Sequence, residues 1–117
     1  MGLRVVSFCC VRMATLGLML GLAAGVAHAA SPEQGRAAFM KYGCWQCHGT
    51  QGQGGVGPRI APDPLPFDAL SNYVRTSNGQ MPPYRTAVLP DSDLTDIYAY
   101  LQSIPKPPDP KSIPALN

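Results

Sequence analysis

Residues 44–48 read Cys-Trp-Gln-Cys-His, two thiols and an imidazole within five consecutive positions. No other stretch of the chain constrains its fold as tightly, because each of these side chains is a metal or redox ligand. Three chemistries use such residues: a structural zinc site, a thiol/disulfide pair, and a covalent seat for haem. The rest of the sequence discriminates among them.

The amino-terminal quarter narrows the ligand supply. Arg4 and Arg12 make a basic start, Ala14 to Val26 is almost wholly apolar, and Ala27-His28-Ala29 has the small-x-small form of a processing site. The apolar run is well short of the roughly 20 residues that cross a bilayer as a helix, so a cleaved secretory signal, residues 1–29, is expected rather than an anchor. A start at Met13 gives a shorter version of the same signal. Cys9 and Cys10 precede the apolar run instead of following it, which argues against lipid attachment there.

Cleavage leaves residues 30–117, enough for one small domain: a body over 30–104 and a proline-rich tail over 105–117. Only Cys44, Cys47 and His48 then remain of the cysteines and histidines. Arg36, Lys41, Arg59, Arg75, Arg85, Lys106 and Lys111 balance Glu33, Asp63, Asp68, Asp91, Asp93, Asp96 and Asp109, so the processed chain carries no formal net charge. Electrostatic attraction to nucleic acid is not expected of it. A domain this small also needs something to supplement its core.

Three helices are expected. Ser31 caps the first, Pro32 suits its first position, and Gln34 stands where a capping box needs it. Gly35, Ala38, Phe39 and Tyr42 line one face, and Gly43 ends the helix. Phe67 to Thr76 forms a second, with Phe67, Leu70, Tyr73 and Val74 on one side. Asp91 to Ser103 is the clearest, with acids at its positive end and an apolar stripe of Leu94, Ile97, Tyr98, Leu101 and Ile104, Tyr100 on the flank. Between them, glycines and prolines from Gly49 to Pro66 and from Gln80 to Leu89 mark loops, with no strand pattern. Pro105, Pro107, Pro108, Pro110 and Pro114 predict an extended strap or a disordered end.

Zinc needs four ligands, and the processed chain offers three Cys or His unless an aspartate completes the set. A thioredoxin-type pair follows a strand and opens a helix, whereas here a helix precedes the motif. A plain disulfide across so short a loop stabilises little. Haem suits every position: Cys44 and Cys47 present their sulfurs on one face to the two vinyl-derived carbons, and His48 brings its imidazole under the iron. For the other face of the iron, Met40 lies on the proximal side, four residues before Cys44, and is assigned to core or surface. Met81 sits in an irregular loop where Gly79 permits close approach and Pro82 and Pro83 stiffen the chain, so Met81 is the expected sixth ligand.

With these residues in hand, the chain resembles the small class I c-type cytochromes. The likeness rests on Cys44-Trp45-Gln46-Cys47-His48-Gly49, Gly52-Gln53-Gly54-Gly55, Gly57-Pro58, Gly79-Gln80-Met81-Pro82 and Ile97-Tyr98-Ala99-Tyr100-Leu101. It implies an all-α fold of three main helices and long loops around one covalently bound haem c. It implies that the Pro58 carbonyl accepts the His48 ring N–H, and that Gly35 and Phe39 cross Ile97 and Tyr100. Arg59 is placed either at a haem propionate or in solvent; Trp45 covers the haem edge or, alternatively, relays electrons.

A six-coordinate His48/Met81 iron leaves no open position for a substrate, so electron transfer rather than catalysis is the expected function. The expected protein is a periplasmic monohaem carrier, taking electrons from a dehydrogenase and passing them to an oxidase or another cytochrome. The alternative is a dedicated cytochrome subunit of an exported dehydrogenase or oxidase complex. A haem enzyme or gas sensor, with Met81 displaced, is the third reading. No membrane span is expected after signal cleavage.

Overall fold

The first helix begins where its capping residues put it. Ser31 has extended backbone angles, and its hydroxyl accepts the Gln34 N–H at 3.3 Å, satisfying one of the free donors at the start of α1 (Pro32–Lys41). The computed structural model describes residues 29–116; the expected export signal lies outside the described residues, apart from Ala29. Tyr42 closes α1, and Gly43, at φ +78°, turns the chain into the short helix α2 (Trp45–His48). The helices α3 (Phe67–Thr76) and α4 (Asp91–Ser103) follow with the boundaries expected from sequence. No strand occurs among the described residues, so the fold is all-α. None of their helices is long and apolar enough to cross a membrane.

α1 and α4 cross in direct backbone contact. A Cβ built on Gly35 would overlap the Asp96 carbonyl and crowd the Ile97 nitrogen, so only glycine permits this spacing. One turn away, the Phe39 and Tyr100 rings meet tilted at 57°, centroids 5.7 Å apart. Because α1 crosses at Asp96–Ile97, the face that turns inward carries Tyr100 and Leu101 three and four residues on. Tyr100, on the flank by spacing but at the crossing by the resemblance, is therefore buried, and its hydroxyl donates to the Thr50 carbonyl at 2.7 Å. Tyr98 is half-buried and meets Phe67 of α3 edge-on at 5.2 Å.

Asp96 is the unexpected member of this interface, a carboxylate only 2% exposed. It accepts the Ser31 N–H at 2.7 Å, at the positive end of α1, which offsets the cost of burying its charge. Phe39, Leu89, Leu94 and Leu101, each 1% exposed, complete the centre of the core.

α3 is built differently. It is the most amphipathic of the helices, yet none of its residues is fully buried. Phe67, Leu70 and Val74 are half-buried, while Tyr73 is 57% exposed. The tail also departs from expectation: residues 110–112 and 114–116 form short 3₁₀ turns. Asp109 explains the first, since its carboxylate accepts the Lys111 N–H at 2.9 Å ahead of a proline preset for helix entry. Lys106 ties the start of the tail to Asp63 at 3.0 Å.

Candidate haem site

The apolar face of α3 looks into a cavity of about 700 Å³. Pockets for large organic cofactors span roughly 300–1,000 Å³, and this one is walled mainly by carbon. Leu70 and Val74 of α3 form one wall, and Phe39, Leu94 and Ile97 bring the α1–α4 core to it.

Cys44, Cys47 and His48 all line this cavity. Cys44 takes helical angles at the cap of α2, so the two sulfurs lie a turn apart on one short helix. Both thiols are free; Cys44 is half-buried and Cys47 exposed. Burial pushes the Cys44 thiol up to about 11, so it is a neutral, apolar wall group at physiological pH. His48 is 8% exposed. Its Nδ1 lies 2.8 Å from the Pro58 carbonyl oxygen. A carbonyl can only accept, so Nδ1 carries a proton, and in the neutral ring Nε2 has the lone pair.

The loop after α2 holds this ring by close backbone packing. The Gly57 N–H donates to the Cys47 carbonyl and the Gly54 N–H to the His48 carbonyl, both at 2.8 Å. A Cβ on Gly57 would come within 3.1 Å of His48 Cε1, so the strand of loop carrying Pro58 lies flat against the imidazole. The close approach expected at Gly79 is to the haem ring, and a Cβ there meets no protein atom within 4 Å.

Met81, half-buried, lines the same cavity from the loop between α3 and α4. Met40 does not line it and packs against the core. Arg59 stands exposed at the cavity wall; Trp45, 39% exposed, is not part of the lining. Two groups that sequence reasoning missed bear on the Met81 loop. Ser77, 6% exposed, donates from its hydroxyl to the Met81 carbonyl at 2.8 Å. Arg75 reaches the loop's far end, and no local pattern marks either residue.

Among the described residues no three His, Cys, Asp or Glu side chains converge as a metal-ion site. A haem does fit: two unpaired thiols and an imidazole with a free Nε2 stand on the wall of an apolar cavity of suitable size.

An all-α domain with a Cys-x-x-Cys-His turn on such a wall is a small monohaem c-type cytochrome, with haem c bound covalently through Cys44 and Cys47. Residues 30–101 match the family model described as cytochrome c oxidase, cbb3-type, subunit III, and the chain belongs to that family. Comparison with curated proteins and with solved structures returned no match.

Proposed function

We propose that this electron-transfer haem protein works as a periplasmic carrier of single electrons, its iron held between His48 and Met81. Under this reading residues 1–29 are an export signal removed on processing, 30–104 the working domain and 105–117 an accessory tail. The observation that carries the proposal is the lining of one apolar cavity by both His48 and Met81, with the two thiols beside the imidazole. When bound, haem supplies the one-electron couple. Cys44 and Cys47 tether it, and the Pro58 carbonyl orients His48 and makes its Nε2 a stronger donor. Met81 supplies a soft thioether, which favours iron(II) and raises the potential. The mainly apolar walls would lower the polarity around the bound group and so disfavour the more highly charged oxidation state. Held by both His48 and Met81, the iron would offer no position to a substrate, and the haem would serve partners as a one-electron carrier.

The partners this implies are an exported dehydrogenase as donor and an oxidase or second cytochrome as acceptor. A second reading, a dedicated subunit of an oxidase complex, is favoured by the family description, which names such a subunit. Size-exclusion chromatography in high salt separates the two: a stoichiometric complex that survives it rules out the free carrier. The axial assignment is tested with carbon monoxide. The reduced native protein is expected not to bind it at neutral pH, whereas Met81→Ala binds it and shows a lower potential. Ready binding by the native protein would refute the closed site and favour a gas-binding role.

A further inference from the structure

The loop that carries Met81 has few packing contacts to hold it. From Ser77 to Pro90 only Ser77 and Leu89 are buried, and Pro82, Pro83, Arg85, Thr86, Ala87 and Val88 are exposed. Its position is set by hydrogen bonds, and most of them converge on the end of α3. The Tyr84 N–H donates to the Val74 carbonyl at 2.9 Å, and the Ser77 hydroxyl donates to the Met81 carbonyl at 2.8 Å. Tyr84 also donates from its hydroxyl to the Tyr42 carbonyl at 3.0 Å, tying the loop to the end of α1.

Arg75 is the hub of this arrangement. Its Nη1 donates to the Tyr84 carbonyl at 2.8 Å and to the Leu89 carbonyl at 2.7 Å. Its Nη2 donates to Asp91 Oδ1 at 2.6 Å, at the first residue of α4. The side chain is 16% exposed, so the guanidinium is largely withdrawn from water and depends on these acceptors. One rigid fork thus joins the last turn of α3, both ends of the segment 84–89 and the start of α4. Lysine, a point charge, cannot reproduce that geometry.

We propose that Arg75 is a positioning residue for the distal iron ligand: it latches the Met81 loop shut, and so sets how readily that loop yields the iron to competing small ligands. The inference rests on the reading of Met81 as sixth ligand. Arg75 touches neither iron nor haem on this account; it acts through the carbonyls of Tyr84 and Leu89. Hydrogen bonds to a charged group are among the stronger ones, so loss of the latch shifts the loop's opening equilibrium by about tenfold or more.

The test is an imidazole titration of the oxidised, haem-loaded protein, followed by absorption, with the near-infrared band of methionine-ligated iron(III) read in parallel. Arg75→Gln is expected to bind imidazole about tenfold more tightly than the native protein, while keeping the near-infrared band when imidazole is absent. Arg75→Lys and Asp91→Asn keep part of the network and are expected to fall between, at roughly threefold; they carry the test if Arg75→Gln does not fold. Met81→Ala removes what the latch holds. In that background Arg75→Gln is expected to add no further change, which a general loosening of the fold would not predict. Native-like imidazole affinity in the Arg75 variants, or an equal gain with and without Met81, would overturn the latch. If Met81→Ala itself keeps the near-infrared band and the native imidazole affinity, the axial assignment fails, and the latch with it.

Discussion

The two sides of the haem cavity are built on different principles. On one side α1 and α4 pack backbone to backbone at Gly35, seal the Phe39–Tyr100 pair between them and bury Asp96 under the start of α1. On the other side α3 buries no residue completely, and the Met81 loop hangs from Arg75, Ser77 and Tyr84 by polar bonds. The first side is satisfied by the protein itself. The second offers an apolar face to the cavity, and its order is expected to depend on the cofactor. A closed scaffold and an adjustable wall suit the site we propose, in which His48 holds the iron from one side and Met81 tunes it from the other.

This contrast can be broken at its strong point first. Tyr100→Ala removes a buried ring and the hydroxyl bonded to the Thr50 carbonyl. It is expected to cost about 3–5 kcal/mol in denaturant unfolding of the haem-loaded protein. A loss below about 1 kcal/mol would mean that the α1–α4 crossing is not the main source of stability.

Removing the cofactor probes the other side. In a Cys44→Ala/Cys47→Ala variant produced without haem, amides of α3 are expected to exchange with deuterium at least about tenfold faster than those of α1 and α4. Equal protection in all three helices would remove the distinction between the two walls.

The smallest effect is expected at the tail. Lys106 and Asp63 pair at 3.0 Å with both side chains mostly in water. Lys106→Ala should shift stability by no more than about 0.5 kcal/mol. A larger loss, measured by the same unfolding experiment, would make the tail part of the scaffold.

Much of this architecture was legible in the sequence, and the reason differs by region. Ser31, Pro32 and Gln34 act through local geometry, so the start of α1 could be read directly; the ends of α3 and α4 followed equally from apolar spacing and flanking prolines. The Cys44–His48 segment was legible because its chemistry is concentrated in consecutive residues. Long-range polar bonds leave no such trace. Asp96 reads as one more helix-surface acid until α1 is laid across it, and Arg75 as a solvated cation until Tyr84, Leu89 and Asp91 fold back around it. The rotation of α4 was likewise set by its partner: spacing alone put Tyr98 on the stripe and Tyr100 on its flank, whereas the family resemblance put Tyr100 at the crossing, where it lies. In the tail, prolines suggested extension, and the turn made by Asp109 depended on one carboxylate reaching one N–H.

The central claim is that one cavity brings His48 and Met81 to the same iron. The most direct measurement is the absorption spectrum of the oxidised, haem-loaded protein beside that of Met81→Ala. The native protein is expected to show the near-infrared band of methionine-ligated iron(III), and Met81→Ala to lose it while its haem stays covalently attached. A band missing from the native protein, or retained after the substitution, would contradict the claim.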